Sequence, residues 1–563
     1  MRPILAPAKP VRKRPRRLAG WLASALLAVT TLVPATAAAK TFVFCSESNP
    51  EAINPQLAIT GTAMDAARPM FETLVEFKPG TTEIQPALAT AWEISPDGRD
   101  YTFHLRQGVA FHANDEFTPT RPLTAADVVF SIERQWRADN PFHTVSGPRF
   151  DYFADAGFSD LLEAVEAPDP HTVRIRLRRA EAPFLANLTM PFLSILSAEY
   201  AEAMLRRGTP DHIDIRPIGT GPFQLVDFRP NVMVRYRAFE HSWRGRQPID
   251  TLVFSITPTA SARLTKLSSG ECHMSAYPSA EDIRAIRAHP ALKLYEKPAF
   301  NIGYLAINTT RPPFDDPRVR RALNLAIDRP AILAAIYGDS AVPAVNPLPP
   351  TLWAYDETAE PDPYDLPRAR ALMREAGFED GLDVDLWYLP VSRPYNPDGA
   401  GVYAMIAADL EKLGIRTYPR TADWNTYRQI MQDGNVTLAL YGWTGDNGDP
   451  DNFMNTLLGC AAARIGGNNI ARWCDPEFDR RIREAQTVSD IAVRRRLYVE
   501  AQRIFRQASP WVPIAHSVFA VGARREVRNF VVDPLGYHNF AGVDLADEDL
   551  SREDLPREGE PAN

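Results

Sequence analysis

Two charged residues, Arg393 and Asp446, each occupy a turn-rich loop that directly follows an apolar, strand-like run. Arg393 lies in VSRPYNP, residues 391–397, and Asp446 lies 53 positions later within GWTGDNGDPDNF. A fixed guanidinium can fork onto a carboxylate, and a carboxylate can accept from an ammonium group, so the pair suits the two ends of a short free peptide. Pro394, Tyr395, Trp443 and Gly445 flank the charges and offer stacking surface and close backbone approach. The acidic run Asp446-Asn447-Gly448-Asp449-Pro450-Asp451-Asn452 also concentrates calcium-type oxygens. Its third position is glycine, its fifth is proline and no glutamate closes it, so the EF-hand pattern fails. An ordinary Asx-rich turn is the plainer reading of the same residues, and Trp443 together with the upstream arginine loop stands against it.

The elements that must hold these loops alternate between helix and strand patterns, which indicates an α/β fold. Tyr101, Phe103 and Leu105 alternate with Thr102, His104 and Arg106 as a half-buried strand, and Leu252, Phe254 and Ile256 mark a more apolar one. Asp315, Asp316 and Pro317 open a helix carrying Val319, Ala322, Leu323, Ala326 and Ile327. A second helix follows Asp365 and Pro367 and stops near Gly377. Fifty prolines indicate long irregular connections, where binding groups are commonly mounted. No repeat of fixed period is present, and the acidic end from Asp547 to Asn563 is expected to be frayed.

Patterns for catalysis are missing. There is no Gly-x-Ser-x-Gly, Ser-x-x-Lys or His-Glu-x-x-His, and Gly219-Thr220-Gly221 is followed by Pro222 and Phe223, which breaks a dinucleotide fingerprint and reads as a tight turn. His112, His143, His516 and His538 have no spacing that proposes a shared metal, so each is expected at the surface or hydrogen-bonded in the core. The reading is therefore of a binding protein with no enzyme activity, no cofactor and no metal.

Arg12, Lys13, Arg14, Arg16 and Arg17 precede an apolar stretch from Leu18 to Val33 that ends in Ala37-Ala38-Ala39, the pattern of a secretory signal peptide cleaved before Lys40. Removing residues 1–39 leaves 524 residues with 55 basic and 70 acidic side chains, a balance of −15 that argues against nucleic acid as a partner. No later segment is apolar enough to span a bilayer, so the mature chain is expected to be soluble. Cys45, Cys272, Cys460 and Cys474 form an even set without Cys-x-x-Cys, which favours two disulfides among three possible pairings. Proximity favours Cys460 with Cys474 and leaves Cys45 to Cys272.

The run from Pro86 to Arg134 includes Ala87-Leu88-Ala89, Trp92, Asp97-Gly98, Tyr101-Thr102-Phe103-His104-Leu105-Arg106, Gly108-Val109 and Leu123-Thr124-Ala125-Ala126-Asp127-Val128-Val129. It resembles the signature region of the family 5 extracellular solute-binding proteins that serve ABC importers. Cys45-Ser46-Glu47, IGTGPFQL, IDTLVFSITP, RPYNP and GWTGDNGDPDNF further resemble the dipeptide-binding members of that family, and the likeness runs from Lys40 to about Leu545. The resemblance implies a two-lobed periplasmic-binding-protein-like fold of type II with a two-segment hinge. Lobe I would take 40–300, with an extra subdomain at about 72–220, and would return for 518–546; lobe II would take 301–517. The pairs Cys45–Cys272 and Cys460–Cys474 would then each lie within one lobe.

The same resemblance implies that Arg393 holds a dipeptide's carboxylate and Asp446 its ammonium group. Pro394, Tyr395, Trp443, Thr444 and Gly445 would line the bound backbone, and the loop at Thr60 and Gly61 in lobe I would pair with it as an added strand does. Gly399-Ala400-Gly401 departs from the bulkier residues of relatives. The implied protein is a periplasmic monomer that closes on a dipeptide and presents both lobes to permease subunits in the inner membrane. Other ligands of the family, namely haem, 5-aminolevulinate, a longer peptide or a nickel complex, are the alternatives within the class. An exported peptidase is the alternative outside it.

Overall fold

Alternating burial sets the first sheet. In the computed structural model, which describes residues 39–58, 60–147 and 150–546, Tyr101, Phe103 and Leu105 point into a core from the strand Asp100–Leu105. That strand sits in a four-stranded antiparallel sheet between Ala89–Ile94 and Thr172–Leu177, with Leu162–Asp169 at the far edge. The helix Ala125–Trp136 packs on it. Its start is fixed by a capping box between Thr124 and Asp127, and Arg121 closes on Asp127 at 2.6 Å. Deeper in, Arg134 forks onto Asp214 with two bonds of 2.9 Å, and Ser146 and Asn54 also donate to that carboxylate. Truncating either partner of a buried pair of this kind costs about 3–5 kcal/mol.

The main sheet has twelve strands, and its organising element is the 14-residue strand Trp511–Arg524. The first part of that strand pairs with Asn301–Ile307, which in turn pairs with Leu438–Thr444. Its last part pairs with Leu292–Pro298 and Met274–Ser275. Thr41–Ser46 then joins Met274–Ser275 to Thr251–Ile256 in parallel. One continuous strand thus runs through both halves of the molecule. The parallel pairing of Leu382–Trp387 with Ile415–Arg420 and with Leu438–Thr444 brings the carboxyl ends of these strands together at one edge, where α/β sheets commonly mount their ligand loops.

The two helices read from their start signals form at Pro317–Ala326, capped by Asp316, and at Leu366–Glu375, capped by Asp365. Gly377, with φ at 87°, takes the left-handed turn that ends the second. Cys45 is bridged to Cys272 and Cys460 to Cys474. Gly219-Thr220-Gly221 departs from the tight-turn expectation, because neither glycine has a positive φ. A Cβ at either position would strike the backbone of Met70, so these glycines serve close chain approach. Among the described residues no helix is long and apolar enough to cross a membrane. Residues 1–38 of the leader expected at 1–39, and the acidic end from 547, lie outside the described residues.

Candidate functional site

Arg393 is held by a notch of two glycines. After the strand Leu382–Trp387 the chain makes a tight turn in which the backbones of Arg393 and Asn396 exchange bonds of 3.0 and 2.9 Å. Between them, Tyr395 rests on Gly303 and Gly442, which face each other across paired strands. A Cβ on Gly303 would strike the Tyr395 carbonyl oxygen, and one on Gly442 would strike its ring. The Tyr337 hydroxyl donates to the same carbonyl at 2.8 Å. Anchored this way, the loop places the Arg393 guanidinium 4.6 Å from the centre of the Trp424 ring. Gly399 and Gly401 continue the loop into the helix Gly399–Glu411. Both are hemmed in by Leu389, Asp398 and Ile336, so the small-residue stretch opens no pocket.

The acidic loop after Leu438–Thr444 is an Asx-rich turn in its bonding, and that bonding separates its three aspartates. Asn447 accepts from Asp449 N, and Asp449 accepts from Asp451 N. Asp449 is matched by a double bond from Arg494 at 2.7 and 2.8 Å, which holds the guanidinium firmly protonated. Asp451 opens its own helix and is bonded by Asn455 and Gln486. Among the described residues the Asp446 carboxylate has only the Asn452 amide, at 3.2 Å, while Asn452 also accepts from Asp446 N and from the Trp443 indole. Burial therefore pushes the Asp446 carboxyl up to about 6, since one amide cannot replace lost water. Gly445 does not offer open backbone here: its N–H donates to Phe300 and its face packs on Phe453. Thr444 and Trp443 pair in register with Asn301 and Ile302.

Two tyrosines face these charges from the other half of the molecule. The Tyr537 hydroxyl donates to the Asp446 carbonyl at 3.1 Å and lies within reach of its charge, and the Arg68 guanidinium sits 3.6 Å over the Tyr537 ring. Tyr277 lies close enough to Arg393 to feel its field and also senses Tyr537. Burial keeps both hydroxyls neutral, so they remain donors. The backbone of Tyr277 has φ at 44°, an uncommon strain for a bulky side chain and one that concentrates at functional sites. Arg393 thus lies near Tyr277, and Asp446 lies beside Tyr537.

The Tyr277 hydroxyl also lies 4.0 Å from where a Cβ on Gly61 would be, which brings Thr60 and Gly61 to the same region. Their conformation is that of a helix start. Gly61 opens the helix Gly61–Ala67, the Thr60 oxygen caps Ala63 N, and Thr60 N and Oγ1 both donate to Glu51.

Beyond the tyrosines, Asn447 of the charged loop donates to Asn187 at 2.6 Å, and Ala182 N donates to the Gln486 carbonyl at 2.6 Å. His112 and His516 are buried, each bonded to a backbone carbonyl and held down at about 4, while His538 pairs with Asp65 at 2.6 Å. Sequence reasoning missed Tyr277, Tyr537 and Trp424, because nothing in their local pattern separates them from core aromatics. A description of bacterial extracellular solute-binding proteins, family 5 Middle, matches residues 83–464. The dipeptide-binding protein of Escherichia coli K12 is 46% identical over 527 residues, covering 93% of this chain and 98% of that protein. Heme-binding protein A of Haemophilus influenzae is 44% identical over 90% of this chain and 92% of its own length. A dipeptide-binding protein from Pseudoalteromonas sp. SM9913, solved with Met-Leu, superposes with a TM-score of 0.81 at 35% identity, covering 90% of this chain and all of that one. By family match, relatives and architecture, this chain belongs to the family 5 bacterial extracellular solute-binding proteins and has their two-lobed, mixed α/β fold.

Proposed function

We propose that this protein is the periplasmic binding component of an ABC importer and that its ligand is a dipeptide. One observation carries the reading: Asp446, a desolvated carboxylate with a single amide partner among the described residues, lies beside Tyr537, while the guanidinium of Arg393 lies near Tyr277. A dipeptide brings an ammonium group to Asp446 and a carboxylate to Arg393. A longer peptide engaging one end would leave the other charge buried and unmatched, at a cost of about 2–5 kcal/mol. Haem, named for one relative, carries two carboxylates and no ammonium, so Asp446 would stay uncompensated. Pro394, Tyr395, Trp443, Thr444, Thr60 and Gly61 frame the ligand, with Tyr395 acting through the glycine notch.

Binding makes and breaks no covalent bond. Ligand joins the lobes, and closure requires only tighter binding to the shut form. We place the lobe boundaries at 300/301 and 517/518, where pairing along Trp511–Arg524 passes from Asn301–Ile307 to Leu292–Pro298. The shut form would then present both lobes to the permease, with the binding protein acting as a monomer. Cleavage after Ala39 is supported by Lys40, whose nitrogen lies 2.8 Å from Asp250 Oδ2 and would become an α-ammonium paired with it. Mass spectrometry of ligand released from natively purified protein tests the reading. Dipeptides are expected; haem or longer peptides as the bound species would overturn it.

A further inference from the structure

Three successive residues, starting with Asp446 itself, each meet a different segment of the half we place as lobe I. The Asp446 carbonyl accepts from the Tyr537 hydroxyl at 3.1 Å, and the Asn447 amide donates to Asn187 Oδ1 at 2.6 Å. Gly448 comes next, and a Cβ built on it would strike the Thr82 side chain, which supplies its three nearest atoms. The φ of Gly448 is not positive, so the turn itself does not call for glycine. The close approach of Thr82 does.

The two sides of this contact rest on separate cores. Thr82 sits in the turn between the paired strands Val75–Phe77 and Ile84–Pro86, and Asn187 ends the short helix Phe184–Asn187. Val75, Phe184 and Leu188 share one apolar cluster, while Tyr441, Phe453 and Met454, which flank the Asp446 loop, share another. Within its own half the loop is braced, because Asn447 Oδ1 accepts from Asp449 N and Asp449 is held by Arg494. Buried Asn447 therefore works in both directions: its oxygen closes the turn and its amide reaches across to Asn187. The contact continues past the loop, where Ala182 N bonds the Gln486 carbonyl and the Gln486 amide bonds Asp451.

We infer that Thr82 and Asn187 clasp the Asp446 loop in the shut form, Thr82 against Gly448 and Asn187 on Asn447, and that this clasp sets how long a bound dipeptide stays. The inference rests on the dipeptide reading and adds the residues that keep the site closed. Thr82 and Asn187 are positioning residues: they act through the loop that carries the ammonium acceptor, not on the ligand. Contacts made only after the halves meet slow departure and leave the encounter rate alone. The clasp therefore belongs to the dissociation rate.

Calorimetry and stopped-flow fluorescence with Ala-Ala test the inference on wild type, Gly448→Ala, Asn187→Ala, Thr82→Gly and the double variant Thr82→Gly/Gly448→Ala. Gly448→Ala should raise Kd by about ten- to hundredfold, since its Cβ and the Thr82 side chain cannot share one space. Asn187→Ala should raise Kd by about fivefold. In both, the dissociation rate should carry the change while the association rate stays within about threefold of wild type. Thr82→Gly clears the space, so adding Gly448→Ala to it should change Kd by no more than about threefold, a rescue that a misfolded loop cannot produce. Wild-type Kd and dissociation rate in Gly448→Ala overturn the inference, as does a loss of equal size in the Thr82→Gly background. Failure of wild type to bind any dipeptide would remove the dipeptide reading and this inference with it.

Discussion

Replacing Asp446 by asparagine should weaken dipeptide binding and stabilise the ligand-free protein. The carboxyl is pushed up to about 6 from an ordinary 3.8, and each pKa unit corresponds to ~1.4 kcal/mol. The ionised group therefore costs the empty fold on the order of 3 kcal/mol. The folded state holds its proton between about pH 4 and 6 while the unfolded chain has lost it. Stability falls as pH rises through that window, and the cost is complete above about pH 6. Asp446→Asn removes that cost, so the melting temperature at pH 7.5 should rise by up to a few degrees, with the difference shrinking at pH 5. The same substitution removes the anion that meets the ligand's ammonium group, which should raise Kd for Ala-Ala by about 30-fold to several thousand-fold, the equivalent of about 2–5 kcal/mol. In the wild type, affinity should fall about tenfold per pH unit below pH 6 as the carboxyl protonates, and should fall again above about pH 8 as the peptide's amine loses its proton. Calorimetry across pH 5 to 9 together with thermal melts reads both effects. Unchanged affinity, or a variant less stable than wild type at pH 7.5, would refute the reasoning.

Glu181 lies buried among Asp449, Asp451 and Arg494 of the facing half, beside Arg179, and its carboxyl is pushed up to about 8, chiefly by burial and then by Asp451. The fold should thus lose stability as pH rises from about 4.5 to 8, and Glu181→Gln should flatten that decline in melts from pH 5 to 9. Gly442→Ala forces a Cβ into the Tyr395 ring, so it should cost about 1–3 kcal/mol in urea unfolding and weaken Ala-Ala binding as the Arg393 loop shifts. Replacing Cys460 and Cys474 by alanine opens a loop with a sequence separation of 14, and urea unfolding should report a loss of about 3 kcal/mol.

The sequence was most legible where one short segment decides its own structure. Alternation at Tyr101, Phe103 and Leu105 and the start signals at Asp316-Pro317 and Asp365 each point to one local conformation, and those elements form. The helix that Thr60 caps at Gly61–Ala67 was not read from the sequence, although a threonine whose side chain satisfies Ala63 N is a local start signal. The path of Trp511–Arg524 through both halves of the sheet was not legible, since pairing partners hundreds of residues away leave no local trace. The same holds for the site. Arg393 and Asp446 could be proposed from loop chemistry, whereas Tyr277 and Tyr537 come near them only through packing between segments distant in the chain. The roles of Gly303 and Gly442 emerge only once Tyr395 is seen lying on both.

The central claim is that Arg393 and Asp446 grip opposite ends of one small zwitterion. A crystal structure of the protein with Ala-Phe tests it most directly. The account predicts the peptide carboxylate forked by the Arg393 guanidinium and the ammonium group within hydrogen-bond distance of the Asp446 carboxylate. A peptide bound in the reverse direction, or seated away from both side chains, would contradict it.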